Sequence, residues 1–106
     1  MSDLLIERDG DLLRLTLNRP EQMNAMSGEL VEGALAAVLE VIENRSARAI
    51  LITGAGRGFC AGADLRGDGL ASRRESIEGQ MMAGINRLIL ALLEVPVPMV
   101  IALNGP

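Results

Sequence analysis

The chain has 106 residues, 49% of them apolar, with 14 acidic against 10 basic side chains and a formal charge of -4, which bounds it to one domain at most. All ten basic residues are Arg, with no His and no Lys, so a Ser-His-Asp triad, a Schiff-base lysine and a histidine-ligated metal are excluded. The single cysteine, Cys60, rules out an internal disulfide and a Cys-pair zinc site, while one aromatic, Phe59, and the acidic balance oppose nucleic-acid binding.

The start, Met1-Ser2-Asp3-Leu4, has neither the basic head nor the apolar run of an export signal, so a cytoplasmic protein is expected. Residues 4–7 and 12–17 read as two strands, with Arg8-Asp9-Gly10-Asp11 supplying hairpin turn chemistry. Leu13, Leu15 and Leu17 alternate with Arg14 and Thr16, which predicts one buried face and one wet face. Asn18-Arg19-Pro20 stops this strand. Ser27 is placed to cap a helix to about Asn44, with Glu29 in the first turn and Leu30, Ala34, Leu35, Val38, Leu39 and Ile42 at helical spacing.

Residues 49–53 form a continuous aliphatic run, expected to be a parallel strand buried on both faces. A glycine-rich loop follows it. Ser72-Arg73-Arg74-Glu75 has the form of a capping box, and Ile77, Met81, Ile85, Leu88 and Leu92 predict a helix ending near Glu94. Val95-Pro96-Val97-Pro98 then leads to a strand at 99–103. The apolar stretch 95–104 is too short to span a bilayer and carries two prolines, so no membrane segment is expected. The order β, β, α, β, loop, α, β is an α/β arrangement with a hint of a repeating spiral.

The loop Gly54-Ala55-Gly56-Arg57-Gly58-Phe59-Cys60-Ala61-Gly62-Ala63-Asp64-Leu65 carries the chemistry. Glycines lift the Cβ barrier to unusual dihedrals, so the N–H groups of residues 61–65 can point outward as donors, and two such donors can hold a developing oxyanion. An ordinary strand-to-helix connection is the plainer alternative. Gly56-Arg57-Gly58-Phe59-Cys60-Ala61 also fits the dinucleotide fingerprint G-x-G-x-x-A, although Gly62, Gly67 and Gly69 argue against an immediate helix, and a hairpin and a helix already precede the loop.

Three segments together resemble the enoyl-CoA hydratase/isomerase (crotonase) superfamily: Asn18-Arg19-Pro20 with Asn24-Ala25, then Gly58-Phe59-Cys60-Ala61-Gly62-Ala63-Asp64-Leu65, then residues 96–102 ahead of Asn104-Gly105. The resemblance implies a crotonase-like spiral of ββα units, of which residues 1–106 would be the N-terminal part, ending before the catalytic carboxylates. It implies an enzyme, a lyase or isomerase, that binds an acyl-CoA and stabilises a thioester enolate with two backbone N–H groups, the first being that of Ala63. Asn24, Ala25, Ala61, Gly62, Ala63, Asp64, Leu65 and Arg66 would line the CoA site, mainly through backbone. Asp64 would hold the loop by accepting nearby N–H groups. Cys60 and the methionines would be packing residues.

The same resemblance implies no separate cofactor, coenzyme A being part of the substrate, no metal, and assembly into a homotrimer or dimer of trimers. The second oxyanion donor would come from a glycine-rich loop after Asn104-Gly105, with the acid/base carboxylates beyond it. Glu21 stands where some relatives carry a basic residue near the CoA phosphates. Residues 66–76 are expected to move without ligand and to help shape the acyl pocket. Hydratase, isomerase, dehydratase, thioester hydrolase and decarboxylase remain open, as do a non-catalytic CoA-binding or assembly module and a nucleotide-binding α/β domain.

Overall fold

A computed structural model describes residues 2–63 and 71–106, together with the side chains of all of these except 71–78 and 80. Four strands, β1 (Leu4–Asp9), β2 (Leu12–Leu17), β3 (Ala49–Gly54) and β4 (Met99–Ala102), form one sheet in the order β1-β2-β3-β4. The first pair is antiparallel, and β2, β3 and β4 run parallel. Helix α1 (Gly28–Asn44) connects β2 to β3, and α2 (Ala71–Glu94) connects β3 to β4. Among the described residues no helix is long and apolar enough to cross a membrane.

The hairpin is tighter than its charges suggest. Arg8 and Asp9 stay in the ladder opposite Leu13 and Leu12, and the turn shrinks to Gly10-Asp11, with Gly10 at φ +60. The alternation in β2 behaves as expected: Leu13, Leu15 and Leu17 are buried against the helices. Arg14 and Thr16 look the other way and are only half-buried.

Ser27 caps α1, its Oγ accepting from the Leu30 N–H at 3.2 Å, and its hydroxyl donates to Asp3. Arg45, in the left-handed region at φ 52, closes the other end by donating to the Val41 carbonyl. The buried stripe is turned from the expected one. Val31, Ala37 and Val41 join Leu30, Ala34 and Val38 in the core, Leu35 and Ile42 pack at its edge, and Leu39 is 39% exposed. Helix α2 is described from Ala71 to Glu94, and the side chains of Ser72 and Glu75 in the expected capping box lie outside the described residues. It meets α1 where Gly84 has no side chain: a Cβ there would stand 3.2 Å from Val31 Cγ1. Leu88 and Ala91 complete its buried face.

Strand β3 is parallel as expected, but it is not buried on both faces. Ile50 and Ile52 are covered by the helices, while Ala49, Leu51 and Thr53 on the opposite face are half-buried. Strand β4 stops at Ala102 and forms the edge opposite β1, with Val100 and Ile101 exposed. Both helices lie over the same face of the sheet, and it is this face that carries the core.

Candidate functional site

The C-terminal ends of the three parallel strands point the same way, so the loops after β2, β3 and β4 gather at one end of the sheet. Sites in α/β sheets form there because strand ends leave backbone groups free and side chains from separate loops converge. The post-β2 loop begins with a 3-10 turn at Pro20–Gln22 and then places Met23 and Asn24 in the left-handed region, at φ 53 and 57. That conformation, which asparagine tolerates, turns the Asn24 side chain inward.

Asn24 is fully buried and fully used. Its Oδ1 accepts from the Arg19 N–H at 2.7 Å, and its Nδ2 donates to the carbonyls of Ala55 at 3.0 Å and Gly58 at 2.7 Å. A Cβ on Gly54 would sit 2.8 Å from that Nδ2, so only glycine lets the two loops approach this closely. Arg19 adds a bond from its guanidinium to the Ala25 carbonyl and an ion pair with Asp3 at 3.7 Å.

From the other side, Asn104 follows β4. Its Oδ1 accepts from the Gly54 N–H at 3.1 Å, and its Nδ2 donates to the carbonyls of Gly56 at 2.9 Å and Gly58 at 3.0 Å. The Pro106 carbonyl accepts from the N–H groups of Phe59 and Cys60, and the Thr53 hydroxyl donates to the Ala102 carbonyl. The turn after β3 is therefore held by side chains and backbone of two other loops.

Beyond the turn the chain runs through Ala61 and Gly62 to Ala63, which forms an isolated parallel bridge with Met26. In that bridge Met26 donates to the Gly62 carbonyl at 2.7 Å. A residue bridged in this parallel manner keeps its own N–H on the far side of the pair. The Ala63 N–H thus faces away from Met26, and among the described residues no acceptor takes it. Gly62, at φ +107, makes the bend that presents it.

Of the residues singled out from sequence, Asn24, Ala25, Ala61, Gly62 and Ala63 are brought together here. Asp64, Leu65 and Arg66, and the segment 66–76 as far as residue 70, lie outside the described residues. The Asn24 side chain is committed to the scaffold, so what its segment offers a ligand is backbone. Glu21 is exposed on the 3-10 turn beside a small surface cavity that Asp3, Arg19 and Gln22 also line. Two participants, Asn104 and Pro106, have no role assigned from sequence, and Met26 is read there only as a packing residue. A strand that ends in Asn-Gly is the signal that points to Asn104. No helix opens between Gly56 and Ala63, so the G-x-G-x-x-A pattern does not form the strand-turn-helix of a dinucleotide fold.

A second feature adjoins the loop. Between the covered face of the sheet and α2 lies a cavity of about 250 Å³, lined by apolar side chains that include Met26, Phe59, Ile85, Ile89 and Ile101, together with Cys60. Met26 and Cys60 belong also to the loop pair around Ala63, so the cavity and that pair share two side chains. Cys60 is a free, half-buried thiol. Among the described residues no cluster of His, Cys, Asp and Glu is placed to hold a metal ion.

Residues 7–106 match the family model described as enoyl-CoA hydratase/isomerase. A probable enoyl-CoA hydratase of Mycobacterium bovis is 34% identical over 101 residues, covering 91% of this chain and 35% of that protein. The 1,2-epoxyphenylacetyl-CoA isomerase of Escherichia coli is 33% identical over 107 residues, covering 99% of this chain and 41% of that protein. The crystal structure of a probable enoyl-CoA hydratase/isomerase from Mycobacterium abscessus superposes with a TM-score of 0.77 at 34% identity, over 98% of this chain and 40% of that one. The chain thus spans well under half the length of each of these proteins.

Proposed function

The chain belongs to the enoyl-CoA hydratase/isomerase family, and from that premise we propose that its loop after β3 receives the thioester of an acyl-CoA. The observation that carries the reading is the Ala63 N–H. It sits at the end of the sheet where three loops converge, is turned away from its bridge partner Met26, and has no acceptor among the described residues. A fixed backbone donor aimed at a carbonyl oxygen stabilises the negative charge that develops when a thioester becomes an enolate, and in a dry site such a donor needs no reorganisation.

The finer parts of the proposal follow from chemistry. Residues 24–25 and 61–63 border the CoA moiety through backbone groups. The apolar cavity beside Met26 and Cys60 receives the acyl chain. Coenzyme A enters as part of the substrate, so no separate cofactor or metal is required. One donor is half of an oxyanion site, and the second, with the acid/base groups, is supplied by residues outside 1–106. Exposed apolar side chains on α2, on β4 and just after it, among them Leu90, Leu93, Val100 and Leu103, support assembly into a trimer or pair of trimers.

The test is binding and turnover of crotonyl-CoA and other acyl-CoA thioesters by the full-length natural chain, with Ala63→Pro as the matched control. Turnover that the Pro substitution abolishes in a folded protein supports the proposal. Tight binding with no turnover of any thioester would favour a non-catalytic CoA-binding module, and competition by NAD but not by CoA would favour a nucleotide-binding domain.

A further inference from the structure

We propose that Asn104 is a positioning residue for the Ala63 N–H, acting through the Gly58 carbonyl; the proposal rests on the reading of Ala63 as the thioester donor. The turn after β3 makes few bonds of its own. Its Gly54 N–H, its Gly56 and Gly58 carbonyls, and the N–H groups of Phe59 and Cys60 are all satisfied by Asn104 or Pro106. The fit has no slack, because a Cβ on Gly105 would fall 2.0 Å from the Arg57 carbonyl oxygen. A displacement of residues 104–106 is therefore passed to residues 57–60.

Only Ala61 and Gly62 separate Cys60 from Ala63, and this short span is pinned at both ends. Pro106 holds the Cys60 N–H at 3.3 Å, and Met26 holds the Gly62 carbonyl at 2.7 Å. With its far end held by a single bond, a shift at Gly58 and Cys60 is taken up by rotation of the peptide groups up to and including the one that carries the Gly62 carbonyl, and the Ala63 N–H belongs to that same planar peptide and tilts with it. Hydrogen bonds weaken steeply with misalignment, and a displacement of about 1 Å made far from the chemistry can cost on the order of a hundredfold in rate. Asn104 is itself exposed. Replacing it leaves no new buried void, which separates its effect on the donor from an effect on the core.

The substitution to make is Asn104→Asp in the full-length natural chain. It keeps the shape and the oxygen that accepts from Gly54 N–H, and it replaces the amide that donates to two carbonyls with a second acceptor facing them. Two readouts are taken: steady-state kinetics, and the infrared carbonyl band of an acyl-CoA carrying ¹³C at the thioester, observed while bound. The expected result is a kcat lower by about 10- to 100-fold with KM and the unfolding midpoint close to wild type, and a thioester band that loses much of the red shift it shows on the wild-type protein. Asn104→Ser, which retains one donor and adds no charge, is expected to fall between the two and serves if the Asp variant does not fold. An unshifted wild-type band would overturn the donor reading itself. A red-shifted wild-type band that is unchanged in both variants would overturn the role of Asn104 alone, as would a loss of stability with kcat and the band preserved.

Discussion

Asn24 and Asn104 donate to the same oxygen, the Gly58 carbonyl, at 2.7 and 3.0 Å. One reaches it from the loop after β2 and the other from the end of β4, so the turn after β3 is gripped from both sides. Their surroundings differ: Asn24 is wholly buried and Asn104 is exposed. The same kind of bond therefore has different consequences for stability.

Removing Asn24 strands buried groups. In Asn24→Ala the Arg19 N–H and the Ala55 carbonyl lose their side-chain partner, and each buried polar group left unsatisfied costs about 1–3 kcal/mol. A loss of about 3 kcal/mol is expected in urea unfolding. A loss below about 1 kcal/mol would mean that water replaces the amide and that the grip is not structural.

At Ala63 the side chain and the N–H have separate consequences. Ala63→Gly is expected to retain turnover, because the donor is unchanged. Ala63→Pro removes the donor without removing the bond from Met26 to Gly62, and turnover is expected to fall by at least about 10²–10³, with backbone distortion adding to that. Comparable kcat in a folded Pro variant would refute the assignment.

Two glycine-to-alanine changes make a contrast. At Gly105 the new methyl would collide with the Arg57 carbonyl, whereas at Gly28, the first residue of α1, nothing lies within 4 Å. Gly105→Ala is expected to cost about 1–3 kcal/mol or more, as overpacking does. Gly28→Ala is expected to be neutral or to stabilise by up to about 1 kcal/mol by restricting the unfolded chain. Denaturant midpoints of the two variants moving together would contradict the close approach of residues 57 and 105.

Residues 1–106 made alone are expected not to turn over any acyl-CoA, even where they bind one. General acid/base catalysis needs a proton-exchanging group within hydrogen-bond reach of the substrate carbon, and the chain has no His, Lys or Tyr. Its turnover is compared with that of the full-length natural chain on the same thioester panel. Equal rates would require Asp64 to be reassigned as the acid or base.

Elements whose cause is local could be read from sequence. The Ser27 cap, the alternation in β2 and the stop at Asn44 each depend on a few adjacent residues. Burial depended on more than that. Leu39 and Val41 are both apolar on α1, yet Val41 is fully buried and Leu39 is 39% exposed, because the direction from which the sheet approaches decides between neighbouring helical rows. Strand β3 looked enclosed because aliphatic composition reports a preference for burial, while enclosure depends on what packs against the second face. The site was legible in part. Its glycines marked the loop, and the spacing of three segments marked the family, but hydrogen bonds between loops have no period along the chain. The grip of Asn24 and Asn104 on one carbonyl could be seen only with the loops in place.

The grip from β4 also constrains the order in which the molecule can assemble. The contacts of Asn104 with the turn after β3 close spans of 46 to 50 residues, and contacts of long sequence separation are entropically costly to close and slow to form. Helix α1 and the β1–β2 hairpin need only local contacts and can form while the rest of the chain is still being made. The turn that leads to Ala63 cannot take its final shape until β4 has docked beside β3. On the ribosome, the earlier-synthesised half of this loop system waits for the later half, and a chain arrested before residue 104 would carry its hairpin and first helix without the geometry on which the donor depends.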